Sequence, residues 1–228
     1  MAVEGHVLTV FVAPRRFRRL LFSAVPLAVA MLGGCKVFSV DEDRAIRARR
    51  GSDFDAARYV DAIWARKVMP ELDRKAVSAR DLVAAVDGGI DQAGAKLGRR
   101  VGEGSAWTFV VRGEGVVSRV DASSRRGTAE IALADVPGRT ARVQIGPVVS
   151  GSAVRDSLPF VAFNDFADQL AFADLGRALT TSALAGVKPA IAALRVGQRV
   201  RFLGVTNLRA AGDPIVLTPV ALTPVKAG

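Results

Sequence analysis

Apolar residues recur at helical spacing in the first half of the chain and at strand spacing in the second half. Between residues 54 and 68 they return every three or four positions, which predicts a helix. We expect Asp53 to cap this helix and Pro70 to end it. The same spacing predicts a second helix from Ser78 towards Leu97, with Gly88-Gly89 as a point where it can break.

From residue 105 the pattern changes to alternating and continuous apolar runs, which indicate strands. Residues 123–127 and 137–138 have the composition of turns. We expect the first strand to bend at Gly113-Glu114-Gly115. A helix capped by Asn164 is predicted to run to about Leu194. The predicted strands cover residues 107–120, 128–133, 141–145, 199–205 and 214–220.

Three meandering strands, a helix and two closing strands follow the order of an OB-type barrel. The predicted fold class is therefore α+β. An N-terminal helical arm (residues 53–98) precedes an OB-like five-stranded antiparallel β-barrel (residues 105–228), with a helical insertion between strands three and four. An open antiparallel sheet with helices on one face is the alternative.

The N-terminus has the organisation of an export signal. Four arginines at positions 15–19 precede an apolar run over residues 20–31 and the sequence Leu32-Gly33-Gly34-Cys35, which resembles the lipobox of bacterial lipoproteins. We predict a signal peptide over residues 1–34, lipidation of Cys35 and a charged tether to residue 52. The apolar run is shorter than the ~20 residues of a membrane span. An ordinary cleaved signal, an uncleaved anchor and twin-arginine export remain alternatives.

Charge and histidine content narrow the range of functions. Removing residues 1–34, which hold four arginines and Glu4, lowers the net charge from +10 to +7. The basic residues are dispersed, which is typical of a solvated surface near an anionic membrane and not of a nucleic-acid site. His6, the single histidine, falls in the removed segment. A histidine base, a Ser-His-Asp triad and a histidine-ligated metal are thereby excluded, and we expect neither a metal nor another cofactor.

Several blocks of the sequence resemble one bacterial family. The blocks extend over nearly the whole mature chain, and they are similar to the predicted periplasmic lipoproteins called domain of unknown function 2291. The resemblance implies a periplasmic location with a membrane anchor. It also implies a role in carbohydrate uptake, since such proteins tend to be encoded near sugar-type ABC transporters. The blocks are Lys36-Val37, Tyr59 to Trp64, Lys67 to Pro70, Val120 to Gly127, Gln144 to Val149, Arg155-Asp156, Pro159-Phe160 and Phe163 to Phe166.

Polar side chains concentrate in the first hairpin loop and in the connection before the long helix. Such side chains hydrogen-bond sugar hydroxyls or pair with carboxylates. Each also has a structural interpretation: a helix cap for Asn164, a salt bridge for Arg155 with Asp156, and a turn for Ser124-Arg125. The candidate ligand-binding residues are Asp121, Ser124, Arg125, Gln144, Arg155, Asp156, Asn164 and Asp165.

These patterns favour a lipid-anchored, exported binding or interaction protein, accessory to carbohydrate ABC transport. The expected partners are the membrane, through the lipid on Cys35, and transporter components or a small carbohydrate. A structural envelope protein that contacts anionic lipid or cell-wall polymer through its arginines is the alternative. Catalysis is not expected. The sequence has no phosphate-binding glycine loop, and the Asp156 and Asp165 carboxylates carry no signature of a glycosidase pair.

Overall fold

The computed structural model describes residues 54–149 and 151–225 of the chain. The predicted signal peptide, the lipidated Cys35, the tether and Asp53 lie outside the described residues. Within them, no helix is both long and apolar enough to cross a bilayer.

The first helices follow one another without a turn between them. Helix α1 (Ala56–Ile63) begins at Asp55, whose carboxylate accepts a hydrogen bond from the backbone N–H of Arg58 at 3.0 Å. A π-helical segment (Trp64–Val68) joins it to α2 (Met69–Lys75). Asp55 thus takes the capping position that we predicted for Asp53. The prediction that Pro70 ends the helix is also wrong, because Pro70 lies in the first turn of α2, where its missing N–H is not needed.

The next two helices confirm the capping and breaking signals of the sequence. After the short strand β1 (Val77–Ser78), the hydroxyl of Ser78 accepts from the Asp81 N–H at 3.0 Å and starts α3 (Ala79–Asp87). Gly89 then has a φ of 134°, which an L side chain rarely adopts, and separates α3 from α4 (Ile90–Leu97).

Five longer strands pair in a series that returns to its first member. They are β2 (Trp107–Asp121), β3 (Thr128–Leu133), β4 (Thr140–Gln144), β5 (Arg199–Leu208) and β6 (Ile215–Pro224). The pairs are β2–β3, β3–β4, β4–β6, β6–β5 and β5–β2, and β1 joins β2 as a sixth strand. The expectation of a wholly antiparallel sheet is wrong, because β4–β6 and β1–β2 are parallel.

Strand β2 pairs with two neighbouring strands, one after the other along its length. Its first part, Trp107 to Val116, pairs with β5, and its last part, Gly115 to Asp121, pairs with β3. At Gly115 a Cβ would lie 2.2 Å from the backbone oxygen of Ala132, so glycine permits the close approach of β3. The register shift falls between Val117 and Arg119, a few residues after the glycines where we expected the bend.

The helical insertion lies between β4 and β5, as predicted. It consists of α5 (Ala153–Ser157), a 3-10 turn (Phe163–Asp165) and the long helix α6 (Gln169–Ala192). Asn164 does not cap α6. The carboxylate of Asp168 accepts from the Ala171 N–H at 2.8 Å instead, and Asn164 lies in the 3-10 turn.

Two apolar cores lie on opposite faces of the paired strands. Core 1 contains Phe109 and Val111 of β2 together with α3, α4 and the end of α6. Core 2 contains Val110 of β2 together with α1, α2, α5 and most of α6. The strands are therefore covered on both faces near the start of β2. The predicted division into an arm and a strand domain stays a prediction.

Candidate functional site

The first hairpin loop is shaped by its own polar side chains. Asp121 accepts hydrogen bonds from the Ser123 hydroxyl at 2.6 Å and from the Ser123 N–H at 3.1 Å, and these bonds lower the pKa of the Asp121 carboxyl. The Ser124 hydroxyl accepts from the Arg126 N–H at 3.2 Å. Two of the three candidate residues in this loop thus stabilise the turn.

This loop is fixed to the segment that follows β4. The backbone oxygen of Gly127 accepts from the N–H groups of Ile145 and Gly146, and the oxygen of Arg125 accepts from Val148. A Cβ on Gly146 would lie 2.4 Å from the Arg125 oxygen, so the contact requires glycine. Gln144, at the end of β4, donates to the Thr218 hydroxyl of β6 at 3.2 Å. Gln144 therefore links two strands, and Arg125 is held beside residues 145–148.

Arg155 and Asp156 form a largely enclosed ion pair at α5. The Arg155 guanidinium donates through Nε to Asp156 Oδ1 at 2.9 Å, and its Nη2 lies 2.8 Å from the same oxygen. Asp156 is 8% exposed, and its other oxygen accepts from the hydroxyl of Ser152. Arg99, from the residues after α4, donates to the backbone oxygen of Asp156. The pair anchors α5 and also connects it to a distant part of the chain.

A row of stacked side chains extends from this ion pair to the surface. The Arg155 guanidinium carbon lies 3.9 Å from the ring centroid of Phe172, a cation–π contact. Phe172 in turn meets Phe163 edge to face, with ring centroids 5.5 Å apart and an interplanar angle of 90°. Phe163 is 49% exposed. Buried packing therefore orients an aromatic ring that faces solvent.

The exposed ring borders an open cleft of ≈ 360 Å³, which we call the Phe163 cleft. This volume lies in the range of about 300–1,000 Å³ that small-molecule sites occupy. Arg99 and Asn164 bring a guanidinium and an amide to an otherwise apolar lining. Asp165 accepts from the Ala162 N–H at 3.3 Å and so shapes the turn that carries Phe163. The lining residues are Arg99, Val101, Val161, Ala162, Phe163, Asn164 and Phe172.

A second concave surface, which we call the α6 groove, lies between α6 and residues 145–149, 151 and 152. Its polar part, of ≈ 440 Å³, includes Ser152, Arg155 and Thr180. Its apolar part, of ≈ 510 Å³, includes Ile145, Leu184 and Ile191. Pro147, Thr181 and Leu184 line both parts, which makes the surface continuous.

A third cleft, of ≈ 630 Å³, lies between the β3–β4 turn and the β5–β6 connection. Its charged lining is already neutralised in part, since Arg139 pairs with Asp87 at 3.2 Å. Asp213 accepts from the N–H groups of Arg209 and Ala210, which lower the pKa of its carboxyl.

Over residues 54–149 and 151–225 no group of three or more His, Cys, Asp and Glu side chains is placed to hold a metal ion.

The predicted site residues thus fall into two groups with different neighbours. Asp121, Ser124, Arg125 and Gln144 belong to the hairpin loop and the strands that it joins. Asn164 lines the Phe163 cleft and Asp165 shapes the turn beside it, while Arg155 and Asp156 contact the lining residues Phe172 and Arg99. Arg155 also lines the polar part of the α6 groove. Sequence reasoning missed Arg99, because it lies 57 residues before Asp156 and no local pattern joins them. Phe172 falls within the predicted long helix, and nothing in the local sequence indicated its contact with Arg155.

Comparisons with known proteins agree with this architecture. A family model described as "Predicted periplasmic lipoprotein (DUF2291)" matches residues 25–223. The crystal structure of an OB-fold protein from Thermotoga maritima resembles the chain with a TM-score of 0.62 and 18% sequence identity, and the match covers 75% of this chain and 99% of that one. No curated protein matches the sequence. The structural likeness shows an OB-type fold.

Proposed function

Because the chain belongs to the DUF2291 family of predicted periplasmic lipoproteins, we propose that it is a lipid-anchored binding protein that recognises a small carbohydrate. Its place is the bacterial periplasm, at a membrane surface. The finer features of this proposal are cleavage after Gly34, acylation of Cys35 including palmitate, a closed OB-type barrel formed by the five pairings, and a role accessory to carbohydrate ABC transport.

The observation that carries the proposal is the exposed ring of Phe163 in a cleft that Arg99 and Asn164 also line. The C–H faces of a sugar ring are apolar and pack on an aromatic face, while its hydroxyls need donors and acceptors. Arg99 supplies donors, and Asn164, which also lines the cleft, has both a donor and an acceptor group. An apolar platform with convergent polar groups is the usual composition of a small-ligand site.

The stacked row beneath the cleft supports binding because it orients the platform before the ligand arrives. Phe163 is held by Phe172, and Phe172 is held by Arg155. A ring that is already ordered loses little conformational entropy on binding, which favours affinity. Arg155 and Asp156 are thus positioning residues in this proposal, and Phe163, Asn164 and Arg99 contact the ligand.

Binding without catalysis fits the carboxylates near the cleft. Hydrolysis of a glycosidic bond uses two carboxyl groups on either side of that bond. The Asp156 carboxylate is engaged by Ser152 and Arg155, and the Asp165 carboxylate is engaged by a backbone N–H. Their hydrogen bonds are accounted for by structural roles, so we propose no reaction.

The test is a calorimetric and thermal-shift titration of the full chain with monosaccharides, oligosaccharides and cell-wall fragments at low and high salt. A bound sugar present at a hundred times its Kd stabilises the fold by about 2.7 kcal/mol. We expect a salt-insensitive response to one sugar class, lost in Phe163→Ala and weakened in Asn164→Ala. Val196→Ala is the matched control, since Val196 is an exposed apolar residue in the α6–β5 connection, 65% accessible.

Either of two results would contradict the proposal. One is the absence of any response across the sugar panel, and the other is an equal response in wild type and Phe163→Ala. Binding of cell-wall polymer or anionic vesicles that weakens steeply with salt would instead favour the structural envelope role, because screened charge attraction depends on ionic strength.

A further inference from the structure

The apolar part of the α6 groove is a lined surface that the carbohydrate proposal does not use. Thr181, Leu184, Lys188 and Ile191 follow one another at intervals of three and four residues, so they share one face of α6. The opposite face is buried, with Leu179, Ala183 and Val187 in the cores. Leu184 and Ile191 also pack against core 1 and are half-buried, so α6 offers a partly accessible apolar surface along the groove.

The other wall of the groove is rigid and close. Ile145, Gly146 and Pro147 form it, and the backbone bonds of Ile145 and Gly146 to Gly127 hold it in place. From Thr181 to Ala192 the helical wall extends for about 17 Å, from the rise of 1.5 Å per residue. An elongated, narrow apolar molecule fits such a surface better than a compact one.

Two cationic side chains at the apolar part of the groove are not neutralised by an acid, whereas Arg155 and Arg177 of the polar part are paired with Asp156 and Asp174. Lys188 lies in the helical wall, and Arg125 belongs to the loop whose backbone oxygen binds Val148 beside the groove. Both are exposed, and neither forms an ion pair with any acid in the described ranges. No Asp or Glu lines either part of the groove within those ranges. An anionic group at the rim therefore meets complementary charge, while the lining takes an apolar chain.

We propose that the α6 groove binds an acyl chain that carries an anionic head group. The apolar chain lies against Ile145, Leu184 and Ile191, and the head group pairs with Lys188. The location of the protein supports this occupant, because a periplasmic lipoprotein is held where anionic amphiphiles are concentrated. The apolar part of the groove shares no lining residue with the Phe163 cleft, so the two proposals are tested at different residues.

The experiment measures binding of dodecanoate to the full chain by calorimetry, below the concentration at which dodecanoate forms micelles. The chain carries Cys35→Ser, so that no acyl chain of its own competes. We expect saturable binding of dodecanoate, no binding of acetate, and at least tenfold weaker binding of dodecan-1-ol. Dodecan-1-ol tests the contribution of the head-group charge, and acetate tests the contribution of the acyl chain.

Two variants locate the site. Lys188→Glu should weaken dodecanoate binding at least tenfold, whereas Lys96→Glu, at an exposed lysine of α4, should change it less than twofold. Leu184→Asn should weaken binding because it places a polar side chain in the apolar lining. If Leu184→Asn fails to fold, Lys188→Glu still tests the proposal. Unchanged affinity in Lys188→Glu would overturn the proposal, as would equal binding of dodecan-1-ol. Tighter binding of an acidic amphipathic peptide at the same residues would assign the groove to a protein partner instead.

Discussion

The hydroxyl of Thr206 is enclosed in the sheet without a hydrogen-bond partner. Thr206 lies on β5 opposite Phe109, is 0% exposed, and its Oγ1 contacts no donor or acceptor among the described residues. Its near neighbour Thr108 differs, since the Thr108 hydroxyl donates to the Asn207 side chain at 2.8 Å. A buried hydroxyl that has lost water and gained no partner destabilises the folded state.

We predict that Thr206→Val raises the free energy of unfolding by about 1 kcal/mol, because valine has nearly the same shape and needs no partner. Urea denaturation of the full chain measures the change. Thr108→Val is the matched control and should lower the free energy of unfolding by a similar amount, because it removes a made hydrogen bond. Equal destabilisation by the two substitutions would show that the Thr206 hydroxyl is satisfied in solution.

A second residue makes stability depend on pH. Asp213 accepts from two backbone N–H groups, at 2.7 and 3.0 Å, and both lower its pKa below the value of about 3.9 in an unfolded chain. The folded state therefore holds its proton less tightly than the unfolded state does. The resulting stabilisation is present above pH 4 and is lost as the pH falls through the lowered pKa.

Asp213→Asn removes the negative charge but keeps a side-chain oxygen that can accept a hydrogen bond. We predict a lower unfolding free energy than wild type at pH 7, by about 1 kcal/mol or less at this solvated position, and a smaller difference at pH 3. Denaturation of both proteins across this pH range is the measurement. A difference that is the same at pH 3 and pH 7 would contradict the prediction.

Among the elements, the contact between the β2–β3 loop and residues 145–148 leaves no space for a side chain at Gly146. The atoms nearest to a Cβ on Gly146 belong to the backbone, at 2.4 Å from the Arg125 oxygen and 2.5 Å from the Gly127 nitrogen. Backbone atoms cannot rotate away as a side chain does. Any larger residue must therefore separate the loop from the segment and break the bonds to Gly127.

Gly146→Ala is accordingly predicted to lower the free energy of unfolding by about 2 kcal/mol, through overpacking and lost hydrogen bonds. The control is Gly186→Ala on the exposed side of α6, where no atom lies within 4 Å of the new Cβ. That change should raise stability by up to about 1 kcal/mol, because alanine is the better helix former. Thermal denaturation compares the two, and a neutral Gly146→Ala would mean that the loop is not held as described.

The boundaries of the elements show where local sequence signals are sufficient. Ser78 was predicted correctly because its partner, Asp81, lies three residues away and the helix follows at once. The start of α6 was predicted wrongly, since Asn164 and Asp168 both have capping side chains. The choice between them depends on Phe166, which packs into core 2 and keeps the preceding residues out of the helix. That packing is tertiary and has no signature in the local spacing.

For the whole molecule, the order of strands and helices was predictable from the sequence. The burial of strand β2 on both of its faces was only partly predictable. Alternation along β2 sends Phe109 and Val111 to core 1 and Val110 to core 2. Burial on both faces explains why residues 109–111 are all apolar, whereas a strand with one exposed face would alternate between apolar and polar residues. The parallel β4–β6 pair was missed, because the sequence separates these strands by the whole helical insertion. The sequence named Asn164 as a candidate binding residue, which stays a prediction, and it did not name Arg99, which the fold brings to the same cleft from another element.

The pairing of β2 with β5 also bears on how the protein acquires its structure after export. Thr108 and its partner Asn207 are 99 residues apart, and the insertion that contains α6 lies between their strands. In a chain that folds from its N-terminus, β2 is present long before β5 is available. Until then one edge of β2 has no neighbour, and such edges promote aggregation. Distant pairings of this kind also slow folding to milliseconds or seconds. That interval is therefore the stage of folding at which the edge of β2 is open to other chains.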